Sequence, residues 1–451
     1  MSTKVKKPVT MTEGSIPRLL IQFAIPLLLG NIFQQFYNMV DTWVVGNYVS
    51  NEAFSAVGTV GPVINMLIGL FLGLSSGAGV VISQFFGAGK EDRVRDTVHT
   101  AVIMTAVLAV IMTVAGLFLK PLLLSLMKTP AAVYEQADTY LSIYFAGVAG
   151  LLFYNIGASI LQGTGDSRRP FYFLATAAVI NVILDLVFVL VFHMGVEGVA
   201  WATVIAQAVS AILTVFTLMH VDTCVRLNLK EVRFHGDILS RIVRVGIPAA
   251  LQMAIISFSN IFVQSYINQF GADIMSGWTA YSKIDALMML PMQSIGLATT
   301  TFVGQNVGVG KTDRAMQGVR IAVMMSFIAT VIPMIPVMVF APQLVSFFNS
   351  RAEVISAGTM FLHWISPFYV LSCPSNVHAC ALRGSGNSRG PMFIQIASFV
   401  VFRQIYLYIM SNFIANKPIP IAMGYPAGWM VCMVAMYIYY RKVGIGRNAV
   451  V

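Results

Sequence analysis

The chain has 451 residues, of which 57% are hydrophobic and only 10% are charged, and its formal net charge is +10. A soluble globular protein carries about 25% charged residues, so this chain has too little polar surface to cover a water-facing globule. Apolar runs of about 20 residues, the length that a membrane-spanning helix needs, recur along the whole sequence. The composition therefore excludes a soluble protein and predicts an integral membrane protein.

The basic residues are distributed in a way that argues against nucleic-acid binding. Twenty-two of the 28 Lys and Arg lie in or beside the two termini and alternate loops between the apolar runs. Loops on the cytoplasmic side of membrane proteins carry such an excess. We therefore expect a multi-pass protein of the cytoplasmic (plasma) membrane, in contact with the lipid bilayer, with both termini in the cytoplasm and an uncleaved N-terminal tail.

The first apolar run carries four polar residues spaced by three, four and three positions: Asn31, Gln34, Asn38 and Asp41. On a helix these steps return to one face. A charge inside a bilayer costs at least about 2.5 kcal/mol, so this face must meet protein or water. Pro26 lacks an N–H and predicts a kink or hinge upstream. The stripe is either a polar patch that holds helices together or a cation-responsive site on a bendable helix.

The two halves of the chain resemble each other. SQFFGAGKEDR at 83–93 matches GQNVGVGKTDR at 304–314 at six of eleven positions, and LQGTGDSRRP at 161–170 matches LRGSGNSRGP at 382–391. Both pairs are offset by 221 residues, and an even number of spans per repeat makes the repeats parallel. We predict an all-α polytopic membrane protein with twelve transmembrane helices in two six-helix lobes around a central cavity: an N-lobe at 1–219, a cytoplasmic linker at 220–238 and a C-lobe at 239–451.

The first repeat concentrates buried acids and neutral oxygen ligands. Asp185 follows Asn181 by four residues in the fifth span, so both point the same way. Asn155 in the fourth span and Thr203 in the sixth add oxygens, and Asp41 comes from the first. Low dielectric and a neighbouring like charge favour the protonated form of a carboxyl group, which suits a proton carrier. The same oxygens can coordinate Na⁺, with Asp41, Asn181, Asp185 and Thr203 as the candidate ligands.

The second repeat carries a different polar set. Lys283 and Asp285 lie in the eighth span, His378 in the tenth and Arg403 in the eleventh. We expect Asp285 to pair with Arg403 across helices, either as a structural ion pair or in a substrate or gating role. His378 fits a hydrogen-bonded interior histidine better than a switch. The candidate residues of a substrate cavity are Gln34, Tyr37, Asn38, Lys283, Asp285, His378 and Arg403.

No motif supports an ATP-driven pump or an enzyme. The segment GVGKT at 308–312 resembles the end of a phosphate-binding loop, but the full motif needs glycine where Gln305 stands, and no predicted strand precedes it. The four cysteines have no metal-ligand or disulfide spacing. No nucleophile–base pair is apparent, and we expect no cofactor apart from H⁺ or Na⁺ as the coupling ion.

The repeated loops and the first helix, IPLLLGN followed by YNMVDTWVVG, resemble the MATE family of multidrug and toxic-compound extrusion transporters. The resemblance covers essentially the whole chain. An aspartate in the first helix with Asn-x-x-x-Asp in the fifth is similar to the DinF-like or related prokaryotic branch. That resemblance implies proton and Na⁺ binding by the residues matching Asp41, Asn181, Asp185 and Thr203, and bending of the first helix at Pro26.

In the NorM-like branch an acid stands in the seventh helix, where this chain has Ile256. This difference moves the expected coupling site to the N-lobe.

The sequence thus predicts a monomeric secondary antiporter that exports amphipathic, often cationic, small organic compounds in exchange for H⁺ or Na⁺. The alternative is a flippase for lipids or lipid-linked oligosaccharides from the same wider superfamily. Such a flippase would need several cationic cavity residues, and only Lys283 and Arg403 are available. A third possibility is a non-transporting receptor or scaffold, which the buried carboxylates disfavour.

Overall fold

The computed structural model describes residues 10–127, 129–447 and 449, without the side chains at 51, 54, 55, 59, 62, 126 and 258. The predicted N-terminal tail lies mostly outside the described residues. Helices cover almost all of the described chain, which contains no strand. The helices before residue 221 are α1 (Ile16–Tyr48), α2 (Asn51–Gly87), α3 (Glu91–Leu126), α4 (Ala131–Ala146), α5 (Val148–Gly163), α6 (Arg168–Leu186) and α7 (Val196–His220).

The second half follows the same order with more interruptions. Its helices are α8 (Gly236–Asn268), α9 (Ala272–Gly308), α10 (Thr312–Val339), α11 (Ala341–Ser346), α12 (Ala352–Ile365), α13 (Tyr369–Gly384), α14 (Arg389–Ile396), α15 (Arg403–Ile409), α16 (Pro418–Ala422) and α17 (Gly424–Val443). A 3₁₀ turn lies at Ser366–Phe368, and π-helical turns lie at Val187–Val191, Ala397–Phe402 and Met410–Ile414.

The helices are long and apolar enough to cross a membrane twelve times. Among the described residues, eleven segments meet this condition by length and composition. Helices α4 and α5 meet it only as a pair, with a bend of 46° at the break between them, which brings the candidate spans to twelve. The all-helical fold and the twelve predicted spans are therefore confirmed.

The repeated motif LxGxGxS has the same local structure in both halves. Gly165 and Gly386 have φ angles of +91° and +93°, which a side chain rarely tolerates. A Cβ on Gly163 would lie 2.9 Å from the carbonyl oxygen of Gly79, and one on Gly384 would lie 2.4 Å from that of Thr300. Each motif therefore uses its first glycine for close helix packing and its second for the turn.

Replacing Gly384 with Leu is expected to destabilise the fold, because the new side chain meets backbone that cannot move aside. Overpacking of this kind costs about 1–3 kcal/mol. Gly236→Ala is the matched control, since a Cβ at Gly236 has no heavy atom within 4 Å. Thermal unfolding of the detergent-solubilised proteins checks this, and equal melting temperatures for the two variants would contradict the packing role.

The chain divides into two compact units. The first unit comprises Pro26–Gly246, and the second comprises Met11–Ile25 with the described residues from 247 onward. The division falls inside α1 and α8, next to Pro26 and Pro248, both of which interrupt helical hydrogen bonding. The first unit is built around an apolar core to which α1, α2, α3, α4, α5 and α7 contribute.

The second unit has a more aromatic core. Trp278 packs edge-on against Phe361 at 5.0 Å between ring centroids, and Tyr369 lies 5.6 Å from Trp429. The segment before α1 is held in this unit, because the backbone N–H of Met11 donates to Gln305 Oε1 at 2.8 Å. The Gln305 position, where a phosphate-binding loop would need glycine, thus anchors the start of the described chain.

Candidate functional site

Three helices of the first unit bring four of the five predicted ion-coupling residues together. α1 supplies Asp41, α6 supplies Asn181 and Asp185 from adjacent turns, and α7 supplies Thr203. The Thr203 hydroxyl lies 3.5 Å from Asp41 Oδ2 and 3.0 Å from the carbonyl oxygen of Val199, and its single proton can be donated to either oxygen. Asp185 and Asn181 are both close enough to Asp41 to interact with its carboxyl group. We call these four residues the carboxyl cluster.

The carboxyl cluster is buried and poorly satisfied by protein groups. Asp185 is 0% exposed and Asp41 is 8% exposed. Among the described residues, five buried side-chain polar atoms here have no hydrogen-bond partner: Asp41 Oδ1, both oxygens of Asp185, and both the oxygen and the nitrogen of Asn181. None of the seven ion pairs in the described part of the chain involves either acid.

This arrangement has a direct chemical consequence. Two neighbouring carboxylates accept hydrogen bonds but cannot donate one to each other, and a buried unpaired charge is costly. A proton shared by the pair, or a small cation held by its oxygens, would remove the repulsion and satisfy the free acceptors. The carboxyl cluster is therefore suited to take up and release H⁺ or Na⁺.

Buried tyrosines surround the carboxyl cluster. Tyr140 on α4 interacts with Asp41, Asp185 and Thr203, while Tyr37 on α1 lies near Asp41. Tyr37 was among the residues predicted to line a substrate cavity, whereas Tyr140 was not predicted. Tyr140 lies one turn before the buried Tyr144, so an aromatic pair at helical spacing was the available signal.

The remaining predicted residues of the first repeat are less tightly grouped. Asn155 is buried on α5, and its amide donates to the carbonyl of Leu151 in its own helix at 2.8 Å. Gln34 is half-buried and interacts with Tyr37, whereas Asn38 is exposed. The polar stripe of α1 therefore does not have uniform surroundings, and only its last residue lies in the carboxyl cluster.

The second unit does not form the predicted Asp285–Arg403 ion pair, and that expectation was wrong. Arg403 is 2% exposed and donates to Ser259 Oγ at 2.9 Å and Asn260 Oδ1 at 2.8 Å. Its guanidinium lies 4.7 Å from the ring centroid of Tyr425, which also interacts with Asp285. Arg403 thus has neutral oxygens and an aromatic ring as partners.

Asp285 is instead bonded to a tyrosine. The Tyr281 hydroxyl donates to Asp285 Oδ1 at 3.2 Å, and Tyr369 lies close to the same carboxyl group. Lys283, two residues from Asp285, is exposed. His378 is buried, with its Nδ1 2.6 Å from the Pro374 carbonyl and its ring 4.5 Å from that of Tyr440. His378 is thus a hydrogen-bonded interior histidine, as expected from the sequence.

The fold and these sites define a class: a polytopic helical membrane protein of two repeats, with paired carboxyl groups buried in one of them. The family model MatE matches residues 26–187 and again residues 248–409. The chain belongs to the MatE family, and the double match agrees with the internal repeat read from the loops.

Curated relatives and solved structures agree with this assignment. The probable multidrug resistance proteins YpnP and YoeA of Bacillus subtilis are each 28% identical to the chain. The YpnP match covers 96% of this chain and 97% of YpnP, and the YoeA match covers 98% of each chain. A structure described as the outward-facing conformation of a multidrug resistance MATE family transporter superposes with a TM-score of 0.92 at 25% identity, covering 97% of this chain and 98% of the other.

Proposed function

We propose that this protein is a cation-coupled antiporter that exports amphipathic small organic molecules, often cationic, in exchange for H⁺ or Na⁺ across the plasma membrane. The observation that carries the proposal is the carboxyl cluster, in which Asp41 and the fully buried Asp185 lie together without a basic partner among the described residues. The names of the two Bacillus subtilis relatives, both probable multidrug resistance proteins, support drug export.

The energetics are sufficient for such coupling. One charge that crosses 100 mV gains about 2.3 kcal/mol, and each tenfold concentration difference adds about 1.4 kcal/mol. In the proposed cycle, H⁺ or Na⁺ enters the carboxyl cluster and satisfies its free oxygens. α1 then bends at Pro26 and the bound compound is released. Asp41 couples the two events because it is the cluster residue carried by α1.

If Na⁺ is the coupling ion, the two carboxylates, Asn181 Oδ1 and Thr203 Oγ1 are the oxygens available to hold it. If the ion is H⁺, the two carboxyl groups are sufficient. Transport of a fluorescent organic cation by everted membrane vesicles, driven once by a pH gradient and once by a Na⁺ gradient, tests the proposal. Failure of both gradients to drive transport of any amphipathic compound tried would contradict it.

Thr203→Val separates the two ions. Valine keeps the shape of threonine but removes the hydroxyl that can donate to Asp41. For Na⁺ coupling we expect the Na⁺ concentration at half-maximal transport to rise about tenfold, the typical effect of about 1.4 kcal/mol lost from one ligand. For H⁺ coupling we expect less than a threefold change in rate. Thr176→Val is the control, because the Thr176 hydroxyl bonds only its own helix.

A further inference from the structure

A basic cavity lies at the end of two spans in the second unit, away from the carboxyl cluster. Its volume is about 720 Å³, and three of its nine lining residues are cationic and none is acidic. Arg389 begins the span Arg389–Ile414, Lys442 is the second-last residue of the span Pro418–Val443, and Arg447 follows that span. The three positive charges therefore lie where helices leave the membrane.

The other side of the cavity is apolar. Phe393, one turn after Arg389, is 65% exposed, and Ile394 also lines the cavity. Tyr439 forms part of the wall, and its hydroxyl accepts a hydrogen bond from Asn387 Nδ2 at 3.0 Å. Cationic residues next to exposed aromatic surface at a span end match the boundary between phospholipid headgroups and acyl chains.

The first repeat provides an internal comparison. Arg168 matches Arg389 and Arg226 matches Arg447, and the turn beside Arg168 carries a carboxylate. Asp166 stands where the second repeat has Asn387, and it pairs with Arg169 at 3.4 Å. Arg226, which matches Arg447, pairs with Asp222 at 3.6 Å.

The turn itself has the same structure in both repeats. The Gly390 N–H donates to Asn387 Oδ1 at 3.2 Å, just as the Arg169 N–H donates to Asp166 Oδ1 at 3.2 Å. The second repeat thus keeps the turn and lacks its carboxylate. Among the described residues, Arg389, Lys442 and Arg447 form no ion pair.

We propose that this cavity binds the phosphate headgroup of an anionic phospholipid. Three uncompensated cations at a span end supply the charge complementarity, since basic pockets between transmembrane helices bind such headgroups. Asn387 and Tyr439 shape the polar wall, and Phe393 contacts the acyl region. The site is separate from the proposed transport function and does not depend on it.

Native mass spectrometry of the purified full-length protein, titrated with phosphatidylglycerol or phosphatidylcholine, tests this site. We expect preferential retention of phosphatidylglycerol. Replacing Arg389, Lys442 and Arg447 together by Gln should weaken phosphatidylglycerol binding by about tenfold or more. The matched control replaces Arg168, Arg169 and Arg226 by Gln in the first repeat and should bind like the unmodified protein.

Asn387→Asp is a milder second variant, because it copies the residue of the first repeat and so suits the same turn. It should weaken phosphatidylglycerol binding about threefold or more by introducing a negative charge. Equal binding of both lipids, unchanged binding by the triple Gln variant, or displacement of the lipid by millimolar inorganic phosphate would overturn the assignment to a lipid headgroup.

Discussion

Asp185→Asn is expected to reduce ion-driven export to background while leaving the protein folded. Asparagine has nearly the same shape as aspartate but cannot bind or release a proton and carries no charge to attract Na⁺. Because neither oxygen of Asp185 has a hydrogen-bond partner among the described residues, the substitution breaks no protein hydrogen bond. Removing an uncompensated buried charge should also raise the melting temperature.

The measurement is transport in everted vesicles together with thermal unfolding of the purified variant. Asp222→Asn is the control, since the side chain of Asp222 is 93% exposed and lies in a loop. The double variant Asp41→Asn/Asp185→Asn should export no more slowly than either single variant, because the effects of residues that act as a unit are not additive. Full export by Asp185→Asn would refute the role of the carboxyl cluster.

Pro26→Ala is expected to slow export by about tenfold and to make α1 more stable. Alanine restores the N–H that bonds the carbonyl four residues earlier and removes the ring clash, a change worth about 3 kcal/mol in a helix interior. Pro26 lies about 22 Å along the helix from Asp41 at 1.5 Å per residue. A stiffer α1 would no longer link ion binding at Asp41 to a change at the other end of the helix.

Slower export with an unchanged or higher melting temperature would distinguish a lost hinge from a damaged fold. Pro121→Ala is the control, because Pro121 also lies inside a long helix but is exposed on α3, which contributes no residue to the carboxyl cluster. Export by Pro26→Ala at the unmodified rate would show that α1 does not need to bend at this residue.

The first-repeat site could be predicted from the sequence because its signals are local and one-dimensional. Acids inside apolar runs are rare enough to identify Asp41 and Asp185, and the four-residue step places Asn181 beside Asp185. The apolar runs predicted twelve spans, and the internal repeat divided them into two sets of six. For the neighbouring Tyr140 the sequence offered only its four-residue spacing from Tyr144, and that spacing does not show which other helix a tyrosine meets.

The second unit shows why opposite charges in two different spans do not suffice to predict an ion pair. Arg403 follows the π-helical turn Ala397–Phe402, and a π-turn changes the direction of every later side chain in the helix. The guanidinium consequently reaches Ser259 and Asn260 on α8, and Tyr425 interacts with both Arg403 and Asp285. No periodic pattern in the sequence signals that turn.

The most direct test of cation-coupled antiport is ion movement driven by the transported compound in proteoliposomes that contain only this protein. An outward gradient of an amphipathic organic cation should drive H⁺ or Na⁺ in the opposite direction with the unmodified protein, and should drive neither ion with Asp41→Asn/Asp185→Asn. Undiminished ion movement with the double variant, or transport by the unmodified protein without movement of either ion, would contradict the account.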